Sequence, residues 1–428
     1  MQRKLRLIQE AELRDKIVLV RVDHNVVKKG KIKDPYRIDS TFGTLFEIAK
    51  KGGKPILMTH IGRPRDKKTG KITCSKDQSV EPIVQYLEKK LPLKIHVPEF
   101  PIDPEKGILH IEEAAIKDAI EDLKKEKIDM IYLPNTRWFF GEEEKGPERG
   151  EFAKELASLA DVYINDAFGS WQAHASTYDV AFFLPSYAGI LMQKELNNLD
   201  KVLNPEKPFV AVIAGAKYDT KIGPIKALYK KVDHLILGGV IYNTYLCAKY
   251  DIKIKGVAEE DIELAKELVS MDKMYKKIIE MPYIVESKTI EAKEEGSYKK
   301  VSLQEIKNRS EINYIVDISA DSFDIPEVKD VISSAKTIFV NAVMGLMPLF
   351  YEGSQAIYSL ISKNSSALKL FAGGDTLEAL KELCPGIYLR GLDSPDEYYY
   401  FTGGGSVLKA IEEESPFGLK PVQALLSK

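Results

Sequence analysis

The chain has 428 residues, of which 44% are hydrophobic and 29% charged, and a net charge of -2 at pH 7. Such a length calls for two or three domains with sizeable cores, and so neutral a balance excludes a polycation made to hold nucleic acid. Cys74, Cys247 and Cys384 lie far apart with no CxxC pair, which argues against a disulfide framework or a structural zinc and for a reducing compartment.

In chain order, "MQRKLRLIQEAELRDK" is charged throughout and has no apolar h-region. No later stretch approaches the roughly 18 apolar residues of a membrane span, so a cytoplasmic protein without a membrane partner is expected. "KIVLVRVD" (16–23) predicts a strand and is followed by the helical "STFGTLFEIAKKGG". "KPILMTH" (54–60) precedes "SVEPIVQYLEKKL", "IDMIYLPN" (128–135) precedes "GEFAKELASLA", and "ADVYIND" (160–166) closes the series. This alternation predicts parallel βαβ units with helices on both faces. "FLPSYAGILMQKELNNLDKVLNPEKP" (183–208) reads as mostly one long helix between prolines. A second alternation follows, with strands at "FVAVIAG" (209–215), "HLILGG" (234–239), "TIFVNAVMG" (337–345), "LKLFAGGD" (368–375) and "YYYFTGGG" (398–405). The reading is α/β: two lobes of similar size with parallel sheets, joined by a long helix near 190–204. The charged stretch 286–311 reads as a surface excursion.

Strand ends of the first lobe repeat one chemistry. "RVDHN" ends in Asp23 and Asn25, "DPYRID" supplies Arg37, "THIGRPR" supplies His60 and Arg63, and "PNTRWFF" supplies Arg137. Ligands of open α/β sheets bind just beyond the carboxyl ends of the strands. Guanidinium forks suit phosphate or carboxylate, so arginines from several strand ends describe a cradle for a small polyanion. Any one of them alone reads equally well as a surface charge. In the second lobe the ends are glycine-rich: "AGAKYDTKIG" (214–223) puts Lys217 and Lys221 about a strand-to-helix turn, "AGGDT" (372–376) sets Asp375 after two glycines, and "TGGGS" (402–406) opens a helix. Bare N–H groups at helix starts bind phosphate, lysines offset its charge, and a carboxylate there can hold Mg²⁺ through a nucleotide. None of these is a Walker A or GxGxxG motif. The acidic runs 142–144 and 412–414 read as solvated faces, "YYY" at 398–400 with Phe401 as a core strand, and His174 as structural. His24, His96, His110 and His234 lack metal spacing.

Together, "RVDHNV", "DPYRI", "THIGRP", "NTRWFFGEE", "ADVYINDAFGS", "AHAST", "LPSYAGILMQKEL", "AGAKYDTKIG", "FTGGGS" and "GLKPVQALLSK" resemble the phosphoglycerate kinase family, in the family's order across nearly the whole chain. The resemblance implies two Rossmann-like lobes: a substrate domain at 1–189, an interdomain helix at 190–204 that acts in a hinge, a nucleotide-binding domain at 205–408, and a tail at 409–428 returning to the first lobe. It implies exchange of a phosphoryl group between 1,3-bisphosphoglycerate with ADP and 3-phosphoglycerate with ATP, with Mg²⁺ and as a monomer. Carried over by position, Asp23 and Asn25 hold the substrate's hydroxyl end, and His60, Arg63 and Arg137 its phosphate. Arg37 meets the carboxylate and the moving phosphoryl group. Lys217 stabilises that group and Lys221 is a nucleotide-phosphate partner. Asp375 serves the metal, directly or through the nucleotide, with Gly373, Gly374 and Thr376 about the phosphates. Gly403, Gly404 and Gly405 form the helix start that balances transition-state charge, Gly404 counting among the catalytic set. Gly215, Gly238 and Asn341 complete the nucleotide-binding set.

The departures are as informative. After "NDAFG" the family's T-A-H-R-A-H becomes "SWQAHAS", one residue shorter, which puts Trp171 and Gln172 where a substrate-binding arginine is expected. In the nucleotide lobe Val240 interrupts a glycine run, Ser319 and Ala320 replace a Gly-Pro, and Ala342 and Val343 replace another. Pro348 aligns with the glutamate that meets the ribose hydroxyls. Glycines let a flat base approach the backbone, so added Cβ atoms reshape that slot unless Tyr242 or Phe350 rebuilds it. Donor identity is therefore open. Two classes follow: an enzyme of this type, or a catalytically weak or altered-donor relative acting as a binding or regulatory protein. Retention of Arg37, Lys217, Lys221 and Asp375 favours the enzyme.

Overall fold

The computed structural model describes residues 4–427. Its contacts divide the chain into two compact units, residues 1–196 with 417–428, and residues 197–416. In the first, strands β1 (Ile17–Val22), β2 (Lys54–Met58), β3 (Ile95–His96), β4 (Met130–Tyr132), β5 (Val162–Asp166) and β6 (Ser186–Ala188) form one parallel sheet in the order β3-β4-β2-β1-β5-β6. All six residues of β1 are buried, because helices cover the sheet on both faces and leave the strand no solvent side. That is why "IVLVRV" shows no apolar–polar alternation. The chain leaves β1 toward β2 on one side and reaches β5 on the other, so the sheet's switch point lies beyond the carboxyl ends of β1 and β5.

The second unit repeats the plan with strands β7 (Phe209–Gly215), β8 (His234–Gly238), β9 (Ile278–Ile279), β10 (Thr337–Asn341), β11 (Leu368–Ala372) and β12 (Tyr398–Phe401), in the order β9-β8-β7-β10-β11-β12. This is the strand order of the doubly wound dinucleotide-binding sheet, and its switch point lies beyond β7 and β10. "YYYF" is indeed a core strand, with Tyr398, Tyr400 and Phe401 buried.

Two expectations about elements change. The stretch 183–208 is not one helix: β6 joins the sheet first, with the Tyr163 N–H donating to Pro185 O at 2.9 Å, and the helix runs only from Ile190 to Leu203. Pro185 and Gly189 bracket the extended "SYA" and delay the helix. The charged stretch 286–311 is not a mere excursion. Strands Tyr283–Ser287, Tyr298–Ser302 and Tyr314–Ile318 form an antiparallel sheet, and the buried Glu286 accepts from both Nη atoms of Arg309 at 2.8 and 2.6 Å. Arg309 and the Asn313 N–H hold that carboxyl down at about 2. At the other end of the chain, Arg6 N donates to Leu425 O at 3.0 Å and Arg6 Nη2 to Ala424 O at 3.1 Å, within the first unit.

Candidate active site

The first unit's switch point opens into a cavity of about 340 Å³ lined by Arg21, Asn25, His60, Gly62, Arg63, Arg137 and residues of the 169–174 turn. Asn135 fixes two of its walls: its Oδ1 accepts from Ile61 N at 3.0 Å and Arg137 N at 3.1 Å, while its Nδ2 donates to Ile61 O at 2.8 Å. "THIG" and "NTRW" are thereby locked side by side. Asn25 Oδ1 accepts from Gly62 N at 2.9 Å, and Arg37 Nη1 lies 3.3 Å from Asp23 Oδ2. The other oxygen of Asp23 is buried without a partner among the described residues. Such an oxygen is an acceptor waiting for a donor.

Arg21 is the residue that sequence reasoning missed. It sits inside β1, is 1% exposed, and donates through Nε to Ser176 Oγ at 2.8 Å and through Nη1 to Val22 O. Its Nη2 lies 3.1 Å from His60 Nδ1. A guanidinium can only donate, so Nδ1 accepts and Nε2 of a neutral His60 carries the proton. Burial, then Arg21 and Arg137, hold His60 well below the ordinary imidazole range, so it stays neutral near pH 7. The only signal in the sequence was an arginine standing in an otherwise apolar strand. His24 is a buried structural residue: Tyr132 and Thr41 hold its ring nitrogens, and burial lowers it to about 3.

The run 142–144 is not a solvated face. Glu142 is 1% exposed and accepts from Ser176 N at 3.0 Å and Ser176 Oγ at 2.6 Å, so it backs Arg21 through Ser176. Glu143 lies 3.0 Å from Arg137 Nε and 3.8 Å from His174 Nε2, and Glu144 pairs with Arg65. His174 lines the cavity rather than a remote core, and burial lowers its pKa against the pull of Glu142 and Glu143. Arg65 and Arg137 are thus oriented by carboxylates of one loop, Glu144 and Glu143.

In the second unit, Gly215 and Asn341 end the two strands flanking the switch point. Lys221 joins them, its Nζ donating to Ala214 O at 2.5 Å and Asn341 Oδ1 at 2.7 Å. Burial lowers this lysine to about 8, with Asp375 pulling the other way. Asn341 Nδ2 donates to Ala372 O at 2.7 Å, which places the start of the Gly374–Leu383 helix beside it. Gly373 adopts φ +108° with no room for a side chain, since a Cβ would lie 2.7 Å from Asn341 Nδ2. The next helix, Gly404–Glu412, starts against it: a Cβ on Gly404 would fall 2.5 Å from Gly373 Cα. Two helix N-termini therefore open together, with Gly374, Asp375 and Gly405 exposed, Thr376 buried and Gly403 at the N-cap. Lys217 is exposed on the loop between β7 and the helix that starts at Ile222. Among the described residues no cluster of three or more His, Cys, Asp or Glu could hold a metal by itself.

The base-slot positions differ in kind. The face of Gly238 is covered by Met344, whose sulfur would lie 2.3 Å from a Cβ there. Ala342 is buried and its carbonyl accepts from Tyr358 OH, while Pro348 is exposed. Tyr242 cannot rebuild an adenine wall, being fully buried with its hydroxyl accepting from Met281 N at 2.9 Å. Phe350 is buried between Tyr298 and Lys293.

A family model described as phosphoglycerate kinase matches residues 8–414. The chain belongs to the phosphoglycerate kinase family. It is 34% identical over 423 residues to the phosphoglycerate kinase of Dictyoglomus turgidum, covering 97% of this chain and 98% of the relative. It is 33% identical over 429 residues to that of Moorella thermoacetica, covering 98% and 99%. Among solved structures, the phosphoglycerate kinase of Coxiella burnetii superposes with a TM-score of 0.75 at 26% identity, with 99% of each chain covered. The Pyrococcus horikoshii enzyme, at 20% identity and a TM-score of 0.73 over 99% of each chain, shares the fold. Membership makes the chain a phosphotransferase with a carboxyl acceptor, acting in glycolysis. No helix among the described residues is long and apolar enough to cross a membrane.

Proposed function

We propose that the two cradles divide the phosphoglycerate kinase reaction between them, 3-phosphoglycerate on the first unit and magnesium nucleotide on the second. Three guanidiniums and no carboxylate line the first cavity, and this observation carries the reading. Arg63 and Arg137 with the Nε2–H of His60 take the phosphate end, Asp23 and Asn25 the hydroxyl end, and Arg37 the carboxylate. On the second unit, the N–H groups at Gly373–Gly374 and Gly403–Gly405 with Lys221 hold the nucleotide's phosphates, and exposed Lys217 is free to follow the group in flight. A lone exposed carboxylate beside a phosphate cradle suits Mg²⁺, which favours phosphate oxygens and water over an all-protein cage, so Asp375 fits it. When bound, Mg²⁺ neutralises charge on the phosphates.

In the reaction, an oxygen of the 3-phosphoglycerate carboxylate forms a bond to the γ-phosphorus of ATP. The bond from that phosphorus to the β,γ-bridging oxygen breaks, and ADP leaves with the electron pair. The carboxylate is already ionised, so the reaction needs no general base; positioning and electrostatics carry it. The domain roles follow the same division: a substrate domain to residue 189, an interdomain helix at 190–204, a nucleotide domain at 205–408, and the final segment with the substrate domain. A cytoplasmic monomer accompanies this reading. For the donor, Met344 over Gly238, Val240 at the helix start and exposed Pro348 favour recognition chiefly through the polyphosphate chain, with little choice between ATP and GTP. A coupled phosphoryl-transfer assay with 3-phosphoglycerate and several nucleoside triphosphates tests both parts. Absence of transfer with every donor would overturn the first, and a strong preference for ATP the second.

A further inference from the structure

The three guanidiniums of the acceptor cavity are not equally free. Arg21 commits its donors to Ser176, Val22 O and His60. Arg137 gives Nη1 to Gly62 O at 2.6 Å and keeps Nε 3.0 Å from Glu143. Arg63 is exposed and is engaged by no hydrogen bond or ion pair among the described residues. Trp171 and Gln172 form part of the cavity's rim. Their turn is fixed: Gln172 O accepts from Thr177 Oγ1 at 2.7 Å and His174 N at 3.1 Å, and Ala175 N donates to Glu142 O at 3.1 Å. The side chain of Gln172 is exposed, and its amide is left to meet whatever enters. His60 and His174 are both lowered by burial and add no full charge near pH 7. A phosphate dianion therefore meets one free guanidinium, one shared with Glu143, and a neutral amide.

We propose that Gln172 is a specificity-determining residue of the acceptor site, one that lowers the site's preference for a phosphorylated over an unphosphorylated 2-hydroxy acid. The inference rests on the acceptor reading of this cavity given above. An amide offers both N–H donors and a carbonyl acceptor, so it serves a phosphate oxygen and a plain hydroxyl almost equally. A guanidinium at the same place only donates and carries charge, which strengthens its bonds to a dianion far more than to a hydroxyl. With the turn rigid, the choice between the two ligands falls on the side chain at 172 rather than on loop movement.

The test is calorimetric titration of the full chain with 3-phosphoglycerate and with D-glycerate, which lacks the phosphate. Gln172→Arg should tighten 3-phosphoglycerate about tenfold and leave D-glycerate within about twofold, widening the ratio of dissociation constants. Gln172→Glu should narrow that ratio by weakening 3-phosphoglycerate, and serves if the arginine variant misfolds. A ratio that moves by less than about threefold in both variants, or variants that shift both ligands alike, would overturn the inference. Transfer from ATP to 3-phosphoglycerate by the unmodified chain is measured alongside. Transfer with an unmoved ratio removes this inference alone; no transfer with the expected ratios removes the kinase reading and leaves Gln172 as a determinant of binding.

Discussion

Beyond β1 the chain presents guanidiniums, Arg21 among them held by buried partners, whereas the second unit presents main-chain N–H groups beyond β11 and β12 and, beyond β7, one lysine lowered to about 8 and an exposed lysine. The first cradle owes its geometry to side chains far apart in sequence: Glu142 holds Ser176, Ser176 holds Arg21, and Arg21 sets the tautomer of His60. The second owes its geometry to backbone, where a Cβ on Gly404 would strike Gly373 and one on Gly373 would strike Asn341. Side-chain cradles are tuned by substitution, since each group can be exchanged for another of different charge. Backbone cradles hold their chemistry under sequence change but fail abruptly when a methyl is added.

The largest effect should follow from adding that methyl. Gly404→Ala places a carbon 2.5 Å from Gly373 Cα, and kcat/KM for the nucleotide should fall by about 10²-fold or more, with 3-phosphoglycerate affinity unchanged. Steady-state kinetics in both substrates checks it, and an equal loss in both would erase the distinction between the cradles. Glu142→Ala should be next. It strips Ser176 of its acceptor and leaves Arg21 without its buried counter-charge, so the chain should lose about 3 kcal/mol by urea unfolding and bind 3-phosphoglycerate more weakly. Stability unchanged within about 0.5 kcal/mol would mean that the first cradle does not depend on its buried scaffold.

A smaller effect concerns pH. In the proposed role Lys221 holds phosphate only when protonated, and burial brings its pKa to about 8, so nucleotide affinity should be level below that pH and decline above it by up to tenfold per unit. The sign for stability is opposite. The unfolded chain keeps this proton up to the usual lysine range, so between about 8 and 10.5 the burial penalty on the charged form is relieved as pH rises. Lys221→Arg should flatten the binding profile, as titration with nucleotide from pH 7 to 9.5 would reveal. The smallest difference expected is between donors: ATP and GTP share ribose and phosphates and differ only in the base, so with few base-specific hydrogen bonds, each worth about 1 kcal/mol, they should differ in affinity by less than about tenfold.

What the sequence made legible differs between the cradles for physical reasons. His60, Arg63 and Arg137 stand where apolar strands stop, and a charge at such a boundary is visible in one dimension. Arg21 lies within β1, where depth and partners come from the sheet, and "EEE" at 142–144 reads as solvent-facing until the 170–177 turn is seen folded over it. The glycine starts at 373–374 and 403–405 were readable as helix openings, because a run of glycines after an apolar strand is visible in one dimension. Met344 over Gly238 was not, since a thioether three residues past a strand end carries no sign of where it packs. The stretch 286–311 misled because its charges find partners in the fold, Glu286 in Arg309, Lys293 in Glu352 and Lys307 in Glu280.

The central claim is that this chain moves a phosphoryl group with a lysine from the glycine-rich unit while the arginine-rich unit holds the acceptor. It is tested most directly by assaying transfer from MgATP to 3-phosphoglycerate in the full chain and in Lys217→Ala, with 3-phosphoglycerate binding measured in both. The account predicts steady turnover in the unmodified chain, a loss of at least about 10²-fold in kcat for the variant, and acceptor affinity equal within about twofold. Turnover unchanged by the substitution, or no transfer in the unmodified chain, would contradict it.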